Sequence, residues 1–189
     1  KMDTKPFIDF EGQRVVVSGA TSGIGETIAL MLAQCNATVI LLGRNPEKLS
    51  RIREKLSSEK HATLMIDLNE LETINGMIRK VARECGPIYG LCHAAGIVET
   101  RPLDAFRMAS FQSMIDINLT AGIELAKAVC RRDVMPNKGG SVLFISSIYS
   151  MVAMPGQIGY CATKGGIVSA ARAMAVEVAR RNIRVNSLS

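Results

Sequence analysis

The sequence predicts an α/β fold in which a doubly wound parallel sheet lies between two layers of helices. Short runs rich in β-branched residues alternate with longer segments of helical periodicity along the 189 residues. The short runs are almost wholly apolar, as expected of strands that helices cover on both faces. A glycine-rich turn joins the first run to the first helical segment, which is the place where such folds bind phosphates.

Six strands and five helices are predicted in strict alternation. The predicted strands are RVVVS (14–18), ATVILL (37–42), ATLMI (62–66), YGLCHA (89–94), SVLFIS (141–146) and IRVNSLS (183–189). The predicted helices occupy residues 23–35, 46–59, 70–85, 104–133 and 157–181. Asn45-Pro46 and Gly86-Pro87 mark two of the boundaries. Since no repeat or low-complexity tract interrupts this order, we expect one domain over residues 1–189.

The sequence stops in or directly after its sixth predicted strand. A sheet edge without cover is prone to aggregation, so we expect the native protein to continue beyond Ser189. The predicted fold is therefore a three-layer α/β/α sheet that is truncated after the sixth strand.

Charge and composition argue against a nucleic-acid or membrane protein. The net charge is +6, but the 23 basic residues are scattered and aromatic residues make up 4% of the chain. A nucleic-acid interface would gather the positive charge into one stripe. No apolar run approaches the roughly 20 residues that a membrane span needs. An acidic protein partner remains compatible with the positive charge.

Cysteine and histidine usage points to the cytoplasm and away from a metal site. The five cysteines are odd in number, none forms a C-x-x-C pair, and only two histidines accompany them. We expect buried, reduced thiols. Residues 1–13 lack the apolar core of a signal peptide, which also favours a cytoplasmic location.

The glycine-rich turn has the spacing G-x-x-x-G-x-G at Gly19, Gly23 and Gly25. Glycines permit a tight turn, and the backbone N–H groups at the helix start can meet a pyrophosphate. A glycine-rich turn can also serve packing alone, but its place after the first strand favours cofactor binding. The predicted contacts of this turn are Gly19, Thr21, Ser22, Gly23, Ile24 and Gly25.

The end of the second strand favours NADP(H) over NAD(H). A carboxylate there would bind the ribose 2′-hydroxyl, but this chain has Gly43 followed by Arg44. A guanidinium can hold a 2′-phosphate through paired hydrogen bonds. An exposed loop arginine is the alternative explanation. Asp67 and Leu68 end the third strand and are placed to bracket the adenine, although Asp67 could equally serve a turn or a helix cap.

Four further residues complete a recognisable pattern. Tyr160 and Lys164 share one helix face, and Asn118 and Ser147 precede them. Together with the glycine turn, their order and spacing resemble the short-chain dehydrogenase/reductase family, and within it most closely the 3-oxoacyl-[acyl-carrier-protein] reductases. The resemblance extends over essentially the whole chain. It implies a Rossmann-type sheet, followed in relatives by a substrate loop and a last strand that this sequence lacks.

The resemblance implies a role for each of the four residues. Tyr160 would donate a proton to a carbonyl oxygen, and the ammonium of Lys164 would stabilise the ionised phenol while also binding the nicotinamide ribose. Ser147 would hold the carbonyl oxygen in position. Asn118, within the long helix 104–133, would keep a bend and a water in the proton path.

One departure from the family lies after the fourth strand. Relatives usually have Asn-Asn-Ala-Gly there, whereas this chain has His93-Ala94-Ala95-Gly96. Ala95 and Gly96 keep the small side chains that let the chain approach the cofactor's ribose. Loss of the two amides is expected to weaken the loop over the cofactor more than the chemistry. Ser18 replaces the family's usual threonine and retains a hydroxyl.

The sequence therefore indicates an NADPH-dependent carbonyl reductase, with a 3-oxoacyl thioester on acyl carrier protein as the expected substrate. Basic residues at Lys138 and Arg181 match positions that are basic in those reductases. The alternatives are a reductase of a sugar, steroid or other small ketone or alcohol, and a catalytically silent cofactor-binding subunit. Relatives also imply a homotetramer that pairs the helices predicted at 104–133 and 157–181.

Overall fold

A computed structural model describes residues 8–56 and 58–189, so the prediction for the N-terminal segment falls partly outside the described residues. Within these stretches six strands form one sheet. They are β1 (Arg14–Ser18), β2 (Thr38–Gly43), β3 (Ala62–Met65), β4 (Ile88–His93), β5 (Gly140–Ile145) and β6 (Ile183–Leu188).

All neighbouring strands run parallel, in the order β3-β2-β1-β4-β5-β6. Val16 of β1 lies opposite Ile40 of β2 on one side and Leu91 of β4 on the other. The strand order reverses between β1 and β4, which is where a doubly wound sheet opens a crevice at its carboxyl edge. The predicted fold class is confirmed.

The helices cover both faces of the sheet. They are α1 (Gly23–Gln34), α2 (Pro46–Lys55), α3 (Leu71–Cys85), α4 (Met108–Ile115), α5 (Ala121–Val129) and α6 (Ile158–Val178). Short 3₁₀ turns occupy Leu103–Ala105, Ile148–Ser150 and Ala179–Arg181. The start of α2 shows why these sequences begin helices where they do. The Asn45 side chain accepts a hydrogen bond from the Lys48 N–H at 2.8 Å, and Pro46 takes the first helical position.

The prediction of one helix over residues 104–133 is wrong in detail. The helical segment begins at Met108, ends at Val129, and contains a stretch of π-helix at Asp116–Thr120, here called the π-segment. A π-helical insertion widens one turn, so the helix deviates there from its ordinary period. Asp133 lies in the following turn, where it pairs with Arg131 at 2.8 Å.

The core consists of two apolar layers, one on each face of the sheet. Alternate strand residues such as Val16 and Phe144 pack under α3, α5 and α6, while Val17 and Leu41 pack under α1 and α2. The division follows from the period-two alternation of side chains along a strand. Because helices cover both faces of the sheet, a ligand-binding site can open only at an edge, and one opens at the carboxyl edge.

The cysteines and the longest helices bear on two further expectations. All five cysteines are free thiols, of which Cys92 is buried and the others are half-buried, so burial is less complete than the sequence suggested. Over the described residues, no helix has both the length and the apolar character to cross a membrane.

Candidate functional site at the carboxyl edge of the sheet

A cavity of about 290 Å³ opens at the carboxyl ends of β1, β2, β3 and β4. The residues that line it come from the glycine turn and from the loops after these strands. They are Gly19, Thr21, Ser22, Leu42, Gly43, Arg44, Asn45, Lys48, Ile66, Asp67, Leu68, Ala95, Gly96, Ile97 and Ile117. The structure thus gathers eight of the predicted cofactor residues around one cavity, whereas Gly23, Ile24 and Gly25 are not part of its lining.

The glycine turn is shaped by close backbone contacts. Gly19 has a φ of +68°, and a Cβ atom there would lie 2.7 Å from the backbone nitrogen of Ala95. A Cβ atom at Gly25 would overlap the carbonyl of Gly19. Two of the three glycines are therefore required by steric contact, because no side chain fits at either position.

The start of α1 has backbone donors available for a ligand. Ser22 is the N-cap residue, but its side chain makes no capping hydrogen bond. The first N–H groups of a helix have no partner within the helix, and they attract anions. A turn that excludes side chains at Gly19 and Gly25, beside such donors, fits the pyrophosphate of a nicotinamide dinucleotide.

Basic residues border the cavity beyond β2. Arg44 follows the strand directly, Lys48 lies one helical turn later, and the side chains of both residues are exposed. Arg44 forms no ion pair within the stretches that the structure describes. Lys48 is not among the residues predicted from the sequence, although its place in the first turn of α2, three residues after the cap Asn45, was a usable signal.

Asp67 serves a turn as well as the cavity. Its Oδ1 accepts hydrogen bonds from the Asn69 backbone N–H at 3.0 Å and from the Asn69 side-chain amide at 2.8 Å. These bonds, with a smaller contribution from the charge of Arg44, lower the pKa of the Asp67 carboxyl. The turn role that the sequence allowed for Asp67 is therefore present, and the residue also lines the cavity, while its contact with the adenine stays a prediction.

Lys164 is a buried cation on α6 whose side chain reaches the end of β5. Its Nζ donates a hydrogen bond to the carbonyl oxygen of Ile145 at 2.8 Å, and lies 5.5 Å from the centroid of the Tyr160 ring. Only 5% of the residue is exposed, and this burial lowers the pKa of the ammonium group. The helical spacing thus brings Tyr160 and Lys164 together.

Asn118 fixes the loop after β4 to the π-segment. Its Nδ2 donates to the carbonyl oxygen of Ile97 at 2.8 Å, and its Oδ1 accepts from the Ile97 N–H at 2.7 Å. Nδ2 also lies 3.2 Å from Oγ1 of Thr163, one residue before Lys164. A Cβ atom at Gly96 would lie 3.4 Å from Asn118 Oδ1 and 3.6 Å from Lys164 Nζ. Asn118, Gly96 and Lys164 therefore meet at one point beside the cavity.

Ser147 lies next to this cluster. It caps the 3₁₀ turn after β5, where its Oγ accepts a hydrogen bond from the Tyr149 N–H at 3.3 Å. The ring of Tyr149 meets the Tyr160 ring edge-on, with centroids 5.8 Å apart. Ser147 and Tyr160 are therefore both contacted by Tyr149, a residue that the sequence reasoning did not single out.

The loop after β4 is bonded to β1 through the Ser18 side chain. The ring Nδ1 of His93 lies 2.8 Å from the Ser18 hydroxyl oxygen, which also accepts the Ala95 N–H at 3.3 Å. Histidine therefore supplies one hydrogen bond at a position where relatives have an amide, and the weakening of the loop stays a prediction. Burial, and then the charge of Lys164, lower the pKa of His93 to about 4.

Two other predictions concern basic residues and metals. The Arg181 guanidinium donates to the carbonyl oxygen of Cys130 at 2.6 Å and borders a surface cavity together with Arg132 and Arg180, whereas Lys138 is not part of that lining. Over residues 8–56 and 58–189, no group of three or more histidine, cysteine or acidic side chains could hold a metal ion.

The strand order and the glycine-lined cavity at the point of reversal define a dinucleotide-binding α/β protein. Comparison with known proteins narrows this class. The sequence profile of the short chain dehydrogenase family matches residues 13–189. The chain therefore belongs to the short chain dehydrogenase family, whose members are oxidoreductases that use a nicotinamide cofactor and act on small molecules.

Relatives of several descriptions are similar to this chain. Gluconate 5-dehydrogenase of Gluconobacter oxydans (strain 621H) is 31% identical, over 100% of this chain and 74% of its own length. The 3-oxoacyl-[acyl-carrier-protein] reductase of Vibrio harveyi is 31% identical, over 96% of this chain and 74% of its own length. A solved structure from Sinorhizobium meliloti 1021, described as a short-chain alcohol dehydrogenase, has a TM-score of 0.89 and 31% identity, and the match covers 96% of this chain and 73% of that one.

Proposed function

We propose that the protein is an NADPH-dependent carbonyl reductase whose substrate is a 3-oxoacyl thioester carried by acyl carrier protein. The preference for NADPH over NADH is supported by two basic side chains, Arg44 and Lys48, which line the cavity beyond β2. A 2′-phosphate carries the negative charge that such a pair attracts. The chain also lacks an acidic residue at the end of β2, where a carboxylate would repel that phosphate.

Tyr160 is the proposed proton donor. When bound, the nicotinamide supplies a hydride to the carbonyl carbon of the substrate. The Tyr160 hydroxyl has no hydrogen-bond partner among the described side chains, so its proton is available for the carbonyl oxygen. The buried ammonium of Lys164, close to the Tyr160 ring, stabilises the phenolate that remains.

Ser147 and Asn118 complete the proposed machinery. The Ser147 oxygen accepts a hydrogen bond from Tyr149, which leaves its own proton free to hold the substrate's carbonyl oxygen. The Asn118 side chain makes its hydrogen bonds to the Ile97 backbone and the Thr163 hydroxyl. We therefore assign Asn118 to holding the loop and the π-segment in position rather than to contact with the substrate.

Exposed apolar side chains near the carboxyl edge of the sheet support an acyl substrate. Large apolar side chains, each at least half exposed, lie at the end of β6 and on the segments that follow β4 and β5. They are Val98, Ile148, Met151, Val152, Met154 and Leu188. Exposed apolar side chains at this edge match an acyl chain better than a polyhydroxylated sugar.

A sugar or polyol is the second candidate substrate. It is favoured by the relatives, since gluconate 5-dehydrogenase matches the full length of this chain and a glucose 1-dehydrogenase of the same organism is 30% identical. The Arg181 and Lys138 side chains would suit an acidic carrier protein in the first case and have no role in the second.

We further propose that residues 1–189 form one domain, that the protein works in the cytoplasm, and that it assembles as a homotetramer. One continuous sheet with an apolar layer on each face supports the single domain. Exposed small residues along α6 support close approach of a second copy.

A substrate panel tests the proposal. Purified protein is mixed with NADPH or NADH and, in turn, with a 3-oxoacyl thioester, a small aliphatic ketone and a keto sugar acid, and loss of the reduced nicotinamide signal is followed. Rapid oxidation of NADPH by the thioester is expected. Preference for the keto sugar acid would favour the second candidate, and a protein that binds NADPH without oxidising it on any substrate would be a silent partner subunit.

A further inference from the structure

His93 is a buried histidine with no part in the proposed chemistry. It ends β4, is 1% exposed, and lies among five other elements of the fold. The groups around its ring are the Ser18 hydroxyl of β1, the Phe144 ring of β5 at 6.2 Å, the backbone of the π-segment, Gly122 of α5 and the charge of Lys164 on α6. The ring therefore lies between the cofactor loop and the helix that carries Asn118.

The hydrogen bonds of Ser18 decide which ring nitrogen carries the proton. The Ser18 oxygen accepts the Ala95 N–H at 3.3 Å and lies 2.8 Å from Nδ1 of His93. If the oxygen accepted from both groups, the hydroxyl proton would have no acceptor in a fully buried position, at a cost of roughly 1–3 kcal/mol. The hydroxyl therefore donates to Nδ1, and the proton of the neutral ring is on Nε2.

Nε2 faces the π-segment. Among the described residues it has no partner with full hydrogen-bond geometry. The backbone groups of Ile117 and Asn118 are nevertheless close enough to favour a proton on the ring.

Gly122 makes room for the ring. A Cβ atom at Gly122 would lie 2.8 Å from Cδ2 of His93 and 2.9 Å from Nε2. Both distances are shorter than an ordinary contact between heavy atoms, so alanine at 122 and histidine at 93 cannot both keep these positions. The two residues form a matched pair.

We infer that His93 is a positioning residue for the reaction proposed above, because its ring connects the cofactor loop, through Ser18, to the helical segment that carries Asn118, against which it packs at Gly122. Ala95 and Gly96 lie on one side of this connection, and Asn118 with its contacts to Ile97 and Thr163 lies on the other. Gly96, Asn118 and Lys164 lie close together. A ring that holds the cofactor loop and the helical segment of Asn118 in fixed positions therefore also fixes the position of Lys164 relative to the cofactor cavity.

The electrostatic surroundings keep the ring neutral while it performs this role. Lys164 is the charged group that acts on it, and burial together with that charge holds the pKa of His93 near 4. Ser18, Phe144 and Gly122, on the other elements packed against the ring, carry no charge. At neutral pH the ring is therefore uncharged.

Three variants test the inference: His93→Asn, Gly122→Ala and the double variant. An asparagine at 93 can still reach Ser18 but is too short to reach the π-segment. Alanine at 122 displaces the ring. For each variant, amide hydrogen exchange is measured at Ala95 and Ile97 and, as a control, at Val16 in the core. The values of kcat and of KM for the cofactor are measured with the best substrate of the wild-type protein.

We expect His93→Asn and Gly122→Ala each to speed exchange at Ile97 by about tenfold or more, without a change at Val16. We expect kcat to fall by up to about a hundredfold, with a much smaller change in KM for the cofactor. In the double variant the two losses should not add, because the ring that alanine displaces is already gone.

Several results would overturn the inference. The first is unchanged amide exchange at Ile97 in His93→Asn. The second is a double variant in which the losses of kcat from the two single variants add. The third is exchange that speeds up equally at Ile97 and Val16 while kcat per folded molecule stays at the wild-type value. If the wild-type protein reduces no carbonyl substrate, the proposed function fails. The exchange measurements still decide whether His93 connects the two segments.

Discussion

Arg44 separates the two forms of the cofactor at the level of a single side chain. It is exposed beside the cavity and, within the described stretches, free of ion pairs, so its guanidinium is available to a phosphate. Hydrogen bonds to a charged partner contribute about 1.5–3 kcal/mol. Arg44→Ala should therefore raise the dissociation constant for NADPH by about tenfold to a hundredfold and leave that for NADH nearly unchanged.

Fluorescence titration with both cofactors checks this prediction. Arg51→Ala is the matched control, because Arg51 is an exposed arginine on α2 that does not line the cavity. Equal weakening of NADPH and NADH in Arg44→Ala would mean that Arg44 does not contact the 2′-phosphate.

The two buried histidines predict how stability depends on pH. Burial lowers the pKa of His93 to about 4, and burial is also the main cause of the lowered pKa of His61, whose Nδ1 accepts the Val39 N–H at 3.0 Å. In the unfolded chain both titrate near 6.5. Between that value and about 4 the unfolded state binds more protons, so the free energy of unfolding should fall as the pH drops through this range.

Urea unfolding at several pH values between roughly 7 and 5 measures this dependence. Each histidine should contribute a slope of up to about 1.4 kcal/mol per pH unit, and His93→Asn should have a shallower slope than the wild type. A free energy of unfolding that stays constant across this window would contradict the assignment of neutral buried rings.

Helix α6 contains two adjacent glycines that have different surroundings. A Cβ atom at Gly166 would lie 3.1 Å from the Leu119 side chain, whereas at Gly165 the nearest atom would be the Ser150 carbonyl oxygen at 3.9 Å. Alanine favours a helix by up to about 1 kcal/mol over glycine. Gly165→Ala should therefore raise the free energy of unfolding by up to that amount, and Gly166→Ala should raise it less because Leu119 must move.

Chemical denaturation of the two variants provides the measurement, and each variant serves as the control for the other. Equal stabilisation by both would show that close packing on Leu119 does not account for Gly166. Glycine at 165 has no such contact within the described residues.

The elements differ in how well their sequences predict them. Strands β1, β2, β4 and β5 were predictable because helices cover both faces and their side chains are almost all apolar. Strand β3 lies at the edge of the sheet, and its exposed Met65 shows that an apolar residue there need not be covered. The π-segment could not be predicted, because one extra residue in a turn hardly changes the apolar period.

Contacts between distant segments limited the prediction of the candidate site. Tyr160 and Lys164 were recognisable because they lie four residues apart on one helix. The surroundings of His93 were not, because Ser18 and Gly122 are distant in sequence and meet it only when β1, β4 and α5 pack together. Tyr149 was missed for a different reason: it looks like an ordinary surface residue until the neighbouring ring of Tyr160 is in place.

At the scale of the whole molecule, α6 presents an apolar residue and small residues to the surface. Val176 is 80% exposed, and Ala162 and Ala173 are also exposed on this helix. Such a surface permits the close approach of a symmetry mate. We predict a tetramer by analytical ultracentrifugation at micromolar concentration, and a shift to smaller species in Val176→Lys. A wild-type monomer at that concentration would contradict the prediction.

The central claim is that Tyr160 donates the proton during NADPH-dependent reduction of a carbonyl group. The most direct test compares Tyr160→Phe with the wild type in turnover of the best substrate and in NADPH binding. The substitution removes a hydroxyl that makes no hydrogen bond within the described residues, so the fold and cofactor affinity should be retained. Turnover should fall by about a thousandfold or more, because the transition state loses its acid. Turnover within about tenfold of the wild type would contradict the proposed mechanism.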